Sequence, residues 1–237
     1  MHYKKPLHKT SKENIYHLAP IPFYKRVFDN DVITDDVYNL GLDVLNKEQR
    51  QMGQELINNF DESRYKDYKI NYNREDEWVE EHEKPPIGSR FYVEPNNFLD
   101  FDDESVNIIK RRIKVGFKEL LWSQDHRLGI KPIISESWLQ YYDPNEGRGH
   151  NAHNHHRWNN SEEQPLMFSG GYYLSDGNPL LDHPYSGAFA FHIRGSKYYI
   201  RPKAGMLLIW PHDIIHSVEP FYGKSYRAVI NFNIQLG

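Results

Sequence analysis

The sequence contains no cysteine among its 237 residues. Disulfide bonds, cysteine-ligated zinc, iron–sulfur clusters and thiol catalysis are therefore excluded. Long apolar runs are also missing, since no stretch approaches the roughly 20 residues that a membrane-spanning helix needs. Residues 1–14 include basic side chains but no apolar segment follows them, so no signal peptide is expected. These absences lead us to expect a cytoplasmic protein with no membrane partner.

An excess of positive charge is lacking as well. The 29 Lys and Arg residues are outnumbered by 33 Asp and Glu residues, and the formal net charge is -4. Nucleic-acid-binding proteins rely on cationic side chains that neutralise phosphates, so no nucleic-acid partner is expected. The chain is long enough to bury a hydrophobic core without disulfides or structural metal. Because it shows no internal repeat and no low-complexity linker, a single domain over residues 1–237 is predicted.

Helical patterns dominate the first half of the chain. Residues 34–36, Thr-Asp-Asp, can cap a helix that runs to about residue 59. A stronger helix is predicted over residues 103–124, where apolar residues recur at helical spacing between lysines and arginines. Residues 61–100 are polar and lack a clear period, and we interpret them as a loop with short elements that can act as a lid.

Beyond residue 131 the pattern changes to short strands separated by Gly, Pro and Asn. The predicted strands are Ile133–Tyr142, Met167–Ser175, Ala188–Ile193, Tyr198–Arg201, Met206–Ile209, His216–Glu219 and Tyr226–Gln235. Many short strands after helices favour an antiparallel sandwich or barrel with the helices packed outside. Residues 131–237 are thus expected to form the core, and residues 1–130 to be helical and loop decoration that supports it.

Four histidines lie close together in the segment of residues 150–156. Neutral imidazole is the commonest side-chain ligand of transition metals. His153 and His155 are two positions apart, so on an extended segment their rings point to the same side. Alternatively, the segment is a solvated polar loop that chelates metal only loosely. The cluster by itself leaves both interpretations open.

The final predicted strand has one polar face and one apolar face. Period-two alternation places Arg227, Val229, Asn231 and Asn233 on the first face, and Ala228, Ile230, Phe232 and Ile234 on the second. Burying an arginine and two asparagines is costly without partners. The pattern fits a face that lines a polar cavity, where a guanidinium can hold a carboxylate with two hydrogen bonds. An edge strand with its polar face in water is the alternative.

Six motifs follow one another in the second half of the chain: Tyr142-Asp-Pro144, His153-Asn-His155, Tyr172-Tyr173, Pro202-Lys-Ala-Gly205, His216-Ser-Val-Glu-Pro220 and Arg227. In their order and spacing they resemble the 2-oxoglutarate/Fe(II)-dependent oxygenase superfamily, most closely its prolyl-4-hydroxylase-like and phage-associated branches. The resemblance covers residues 141–237, and the N-terminal half has no counterpart in it.

This resemblance implies a mainly β fold, the double-stranded β-helix or jelly roll, with the N-terminal helices packed outside. It also implies an oxygenase that uses Fe(II), 2-oxoglutarate and O2 to hydroxylate an unactivated C–H bond of a peptide, a protein or a small molecule. The co-products would be succinate and CO2. A halogenase of the same superfamily, a cupin-type dioxygenase with three histidines, and a non-catalytic jelly-roll module that binds metal or ligand are the alternatives.

The resemblance assigns roles to individual residues. His216 would be the distal iron ligand and, with His153, the catalytic pair, while Arg227 would hold the distal carboxylate of 2-oxoglutarate. Tyr142 and Tyr172 stand where the superfamily often places hydrogen-bond partners of this co-substrate. Each has another tyrosine as its neighbour in sequence, so a shift of one residue in strand register would exchange them. Ordinary packing of these tyrosines in the core is equally compatible with the sequence.

The proximal side of the expected iron site departs from the superfamily pattern. The usual ligands are two histidines and one carboxylate, with a His-x-Asp or His-x-Glu motif first. Here a histidine, His155, occupies the carboxylate position after His153. In the interpretation we favour, His153, His155 and His216 bind iron through three imidazoles, because alternation puts the first two rings on one face.

Two other ligand sets are compatible with the same sequence. In one, His150 is the proximal histidine, and Ala152 leaves the carboxylate position vacant for a halide, as in the halogenases of the superfamily. In the other, a carboxylate comes from elsewhere, and Asp176 and Asp182 are the candidates because they follow the Tyr172-Tyr173 strand.

Overall fold

The computed structural model describes residues 8–9, 15–18, 21–29, 31–43, 98–124, 129, 131–145, 147–155 and 167–237. Within these ranges the helices are α1 at residues 32–43, a 3-10 turn at Phe98–Asp100, and α2 at Glu104–Trp122. The strands are β1 His8–Lys9, β2 Ile15–Leu18, β3 Ile21–Val27, β4 Pro132–Tyr142, β5 His150–His153, β6 Met167–Asp176, β7 Phe189–Ile193, β8 Ser196–Ile200, β9 Met206–Pro211, β10 His216–Val218 and β11 Arg227–Leu236.

The predicted second helix is confirmed, and Asp103, the first residue of the predicted range, is its cap. The carboxylate of Asp103 accepts hydrogen bonds from the backbone N–H groups of Ser105, at 2.8 Å, and Val106, at 3.1 Å, which satisfies donors that the first turn leaves free. One face of α2 is buried throughout. The apolar spacing read from the sequence therefore marks the face that packs on the core.

The start of α1 differs from the prediction. The helix begins before Thr34, and Asp31 serves as its cap, accepting a hydrogen bond from the backbone N–H of Thr34 at 3.2 Å. The predicted continuation of this helix to residue 59 and nearly all of the predicted lid fall in residues 44–97, which lie outside the described residues.

The seven strands predicted after residue 131 are present, with ends that differ by at most two residues. The sequence predicts no strand before residue 131, yet β1, β2 and β3 lie there and β3 pairs with β9. The N-terminal segment is therefore part of a central sheet rather than decoration. A further short strand, β5, carries two histidines of the cluster and pairs with β10.

The strands form two antiparallel sheets. The larger has the order β1-β2-β3-β9-β6-β11-β4, and the smaller has the order β5-β10-β7-β8. Many neighbouring strands, such as β3 and β9 or β4 and β11, are distant in sequence, as in a jelly roll, where the chain crosses repeatedly between two facing sheets. The architecture is thus the predicted one, mainly β with helix α2 packed against the large sheet.

Two hydrophobic clusters lie on opposite faces of the large sheet. The outer cluster joins helix α2 to residues such as Tyr172, Ile230 and Phe232. The inner cluster fills the space between the sheets and includes Tyr173 and Val229. Alternation along β11 therefore has the predicted result, because its apolar residues pack under the helix and its polar residues face the interior of the roll. None of the helices in the described ranges has the length and apolar character to cross a membrane.

Replacing Ile113 by alanine tests the contribution of the outer cluster to stability. Ile113 is fully buried on α2, so its truncation should lower the free energy of unfolding by about 2–5 kcal/mol. On the same helix Val115 is 50% exposed, and Val115→Ala should change that free energy by no more than about 0.5 kcal/mol. Urea unfolding followed by circular dichroism measures both values, and equal losses would contradict the assignment of the buried face.

Candidate metal and co-substrate site

Strand pairing brings three histidines together at one end of the roll. His153 on β5 lies directly opposite His216 on β10 in the antiparallel register. His155 follows β5, and its backbone N–H donates to the carbonyl of His212 at 3.3 Å. One ring nitrogen from each of His153, His155 and His216 lies within 4.8 Å of the others. The three imidazoles can therefore hold a metal ion.

Hydrogen bonds fix which nitrogen of each ring is available. Nδ1 of His153 is 2.7 Å from the carbonyl of Asn151, and Nδ1 of His216 is 2.9 Å from the carbonyl of Ile214. A carbonyl only accepts, so each Nδ1 must carry the proton. The lone pair then lies on Nε2, which faces the centre of the cluster. Such outer hydrogen bonds are the usual way in which proteins orient metal-binding imidazoles.

The spacing of the first two nitrogens suits a shared metal. Nε2 of His153 and Nε2 of His155 are 3.3 Å apart. Two imidazole nitrogens bound about 2.1 Å from one ion would lie about 3.0–3.4 Å from each other, depending on the bond angle. Two lone pairs facing each other at this distance repel unless a cation lies between them. The donor set therefore fits a transition-metal ion such as iron.

His155 is held from behind by a chain of polar groups. Its Nδ1 is 3.0 Å from Oδ1 of Asn233 and 2.9 Å from the hydroxyl of Ser169. The amide nitrogen of Asn233 in turn donates to the carboxylate of Glu136 at 2.9 Å. Because that bond fixes the amide orientation, Oδ1 of Asn233 must be the acceptor and Nδ1 of His155 the donor. The third imidazole is thus in the same tautomer as the other two.

Arg227 lies in the same cavity as the histidines and is 1% exposed. Its guanidinium carbon is 4.4 Å from the ring centre of Tyr142 and 5.2 Å from that of Tyr173, so two aromatic faces accommodate the charge. Its Nε and Nη1 atoms are buried and have no hydrogen-bond partner. A buried cation with free donors is costly, so this group fits an anionic ligand, as the sequence led us to expect.

The structure corrects the expected position of Tyr172. Its ring lies in the outer cluster, and its hydroxyl interacts with Thr34 at 3.0 Å and with Arg112 at 2.8 Å. The neighbouring Tyr173 lines the cavity with Tyr142 instead. Burial raises the pKa of Tyr173 to about 12, while the charge of Arg227 opposes the rise, so its hydroxyl stays protonated. Of the two adjacent tyrosines, Tyr173 is therefore the one that lies beside Arg227.

The structure does not bring together the two alternative ligand sets. His150 lines the cavity, but its Nε2 is 3.2 Å from the side-chain nitrogen of Gln140, and Ala152 is exposed. Asp182 is exposed, and a carboxylate oxygen of Asp176 accepts from the backbone of Asn178 at 3.0 Å. Neither aspartate lines the cavity.

Several site residues were missed by sequence reasoning. Ser169 and Glu136 belong to the polar chain behind His155, and Trp210 lines the cavity with a buried indole nitrogen that has no partner. Period-two alternation along β4 would have put Glu136 on the same face as Tyr142. Ser169 on β6 and Trp210 on β9 are brought together by the pairing of two strands that are distant in sequence. Such a contact leaves no pattern in the sequence near either residue.

Both His155 and His216 are neutral at physiological pH. Burial lowers the pKa of His155 to about 4, with smaller effects from His153 and His212. Burial also lowers the pKa of His216 well below its ordinary value, again with His153 and His155 contributing. Neutral rings are the form that binds metal, so both rings can bind a metal ion at neutral pH without losing a proton.

Removal of His155 should abolish tight metal binding. Loss of an outer hydrogen-bond partner lowers metal affinity by about 10–100-fold. A Co(II) titration of His155→Ala should show a larger loss of affinity than this, because a ligand itself is removed. His192→Ala, a histidine change on β7 that leaves the cluster intact, should bind as the wild type does. Wild-type affinity in His155→Ala, together with a loss in Asp176→Asn, would instead favour a carboxylate ligand.

Stability of the metal-free protein should decrease as pH falls from about 6.5 to about 4. Both histidines have lowered pKa values in the folded state, whereas unfolded histidines titrate near 6.5. The unfolded chain therefore binds more protons in this range, which favours unfolding. With a chelator present, the melting temperature of the double variant His155→Gln/His216→Gln should depend less steeply on pH than that of the wild type. Parallel curves for the two proteins would contradict the assignment.

Comparisons with known proteins identify the fold. No protein-family model and no curated protein matches this sequence. Among solved structures, AviO1 from Streptomyces viridochromogenes Tue57 is 14% identical, with a TM-score of 0.50 over 90% of this chain and 89% of that one. A prolyl-4-hydroxylase from Pseudomonas putida is 14% identical, with a TM-score of 0.46 over 90% and 91%. The viral collagen prolyl hydroxylase from Paramecium bursaria Chlorella virus-1, solved with 2-oxoglutarate, is 17% identical, with a TM-score of 0.43 over 62% and 78%. The chain thus shares its fold with AviO1.

Proposed function

We propose that this protein is a 2-oxoglutarate- and Fe(II)-dependent oxygenase that hydroxylates an unactivated C–H bond of a peptide, a protein or a small molecule. One observation carries the proposal: a buried arginine with two unpartnered nitrogens lines the same cavity as three converging imidazole nitrogens. A cation-binding group and an anion-binding group side by side fit a ligand that is both a metal chelator and a carboxylate. 2-Oxoglutarate has this chemistry.

The metal would be held by His153, His155 and His216. Their Nδ1 protons are engaged by carbonyl groups or by Asn233, so the rings cannot rotate freely and their Nε2 atoms stay directed at the ion. Bound Fe(II) would supply the activation of O2, with 2-oxoglutarate converted to succinate and CO2 and one oxygen atom delivered to the substrate. Three neutral imidazoles make this ligand set less negative than the usual one.

Arg227 would bind the distal carboxylate of 2-oxoglutarate. Tyr142 and Tyr173 face its guanidinium group, and Gly187 leaves the space beside it, since a Cβ there would be 3.1 Å from Cδ of Arg227. A guanidinium so confined is already oriented for two hydrogen bonds to a carboxylate. Apolar residues, among them Phe189 and Val229, line the remaining wall and limit the access of water.

Two of the three alternative functions do not fit every feature of the cavity. A three-histidine dioxygenase that uses no co-substrate would leave Arg227 buried without an anion. A halogenase would need an open ligand position, which His155 fills. A non-catalytic module would bind the metal and the acid without turnover, and only a measurement of the reaction separates it from an oxygenase.

Anaerobic addition of Fe(II) and 2-oxoglutarate tests the proposal. The complex should give a weak visible charge-transfer band, and air should then yield succinate. Arg227→Ala should weaken 2-oxoglutarate binding by about 10–200-fold, the effect of about 1.5–3 kcal/mol that a hydrogen bond to a charged group contributes. The matched control is Arg201→Ala, because Arg201 is exposed and donates to the carbonyl of Pro184.

Three results would contradict the proposal. The first is the absence of a band in the wild type. The second is unchanged 2-oxoglutarate binding in Arg227→Ala. The third is binding of both ligands without formation of succinate, which would favour the non-catalytic module.

A further inference from the structure

A carboxylate stands behind His155, separated from it by the side-chain amide of Asn233. Glu136 and Asn233 are register partners on β4 and β11, and the amide nitrogen of Asn233 donates to Glu136 at 2.9 Å. The amide oxygen of Asn233 accepts from Nδ1 of His155 at 3.0 Å. His155 occupies the sequence position where a His-x-Asp motif would have its carboxylate. A negative charge is therefore present, but the imidazole of His155 and the amide of Asn233 lie between it and the expected metal position.

We propose that Glu136 is a positioning residue that supplies, through Asn233 and His155, the negative charge that the three-histidine metal set lacks. The inference rests on the metal-binding part of the proposed function and is independent of the co-substrate. A carboxylate hydrogen-bonded to an amide polarises it and strengthens its acceptor oxygen. That oxygen in turn holds the Nδ1 proton of His155 and makes the opposite nitrogen a better donor to a metal.

The burial of the hydrogen-bonded groups between Glu136 and His155 favours a specific role over a chance contact. Asn233 is 6% exposed, and Ser169, which also donates to its amide oxygen at 2.9 Å, is fully buried. Glu136 itself is half-buried. Because the groups between it and His155 are buried, the local dielectric constant is lowered and the charge acts more strongly through them than it would in water. Buried amides and hydroxyls persist only where they are hydrogen-bonded, and each member of this chain is.

The charge and the hydrogen bond can be separated experimentally. Glu136→Gln keeps the shape of the side chain and an oxygen that can accept from Asn233, but it removes the charge. Glu136→Asp keeps the charge. Glu119→Gln makes the same change in net charge on helix α2, behind the large sheet, and is the matched control. Asn233→Ala interrupts the chain itself.

Titration with Co(II) alone should show an affinity reduced about tenfold in Glu136→Gln, the lower end of the effect of outer hydrogen-bond partners. Glu136→Asp should retain most of the affinity, and Glu119→Gln should bind as the wild type does. In the Asn233→Ala background, Glu136→Gln should have no further effect, because the chain is already broken. With iron bound, the Fe(III)/Fe(II) midpoint potential should shift to more positive values in Glu136→Gln, a change that a merely structural role would not produce.

Two results would overturn the inference. Wild-type Co(II) affinity and potential in Glu136→Gln would show that the charge does not reach the metal. An equal loss in the presence and absence of Asn233 would show that Glu136 acts by another route. If the wild type itself binds no Co(II), the proposed metal site fails as well, so the two failures are distinguishable. The melting temperatures of both variants are measured, so that a loss of folding is not mistaken for a loss of affinity. If Asn233→Ala does not fold, the Co(II) affinity and the potential of Glu136→Gln alone test the inference.

Discussion

A guanidinium group removed from water sets the strongest constraint on this structure. Arg227 is 1% exposed, and two of its nitrogens have no hydrogen-bond partner. Loss of hydration around a charge is paid for only by an opposite charge or by polarisable groups. The faces of Tyr142 and Tyr173 supply part of this compensation, and a bound anion would supply the rest. Gly187 leaves space beside this guanidinium group, and the two tyrosine rings lie against it.

Strand pairing brings the third histidine of the cluster to the other two. His153 and His216 come from short strands of the small sheet, and only their antiparallel register makes them opposite each other. His155 joins them from the segment after β5, held by Asn233 on the large sheet. The site therefore spans both sheets, and its geometry requires the whole roll to be folded. Orientation by outer hydrogen bonds removes the rotational freedom that long or flexible ligands would have.

Alternating patterns in the sequence predict most of this architecture. The two faces of β11 are predicted correctly because a buried sheet with different environments on its two sides imposes period two. The same rule fails to decide between Tyr172 and Tyr173, since adjacent tyrosines are equally apolar and only the register chooses the face. The strands β1 to β3 are not predicted, and they join the large sheet through the pairing of β3 with β9, a partner far along the chain. Glu136 is missed because its contact with Asn233 exists only through the pairing of β4 and β11.

A crystal structure of the protein prepared anaerobically with Fe(II) and 2-oxoglutarate tests the central claim most directly, with iron located by its anomalous scattering. We expect one iron bound to Nε2 of His153, His155 and His216, chelated by the keto-acid end of 2-oxoglutarate, whose other carboxylate contacts Nε and Nη1 of Arg227. An iron ligated by a carboxylate side chain, or a co-substrate that does not contact Arg227, would contradict the account.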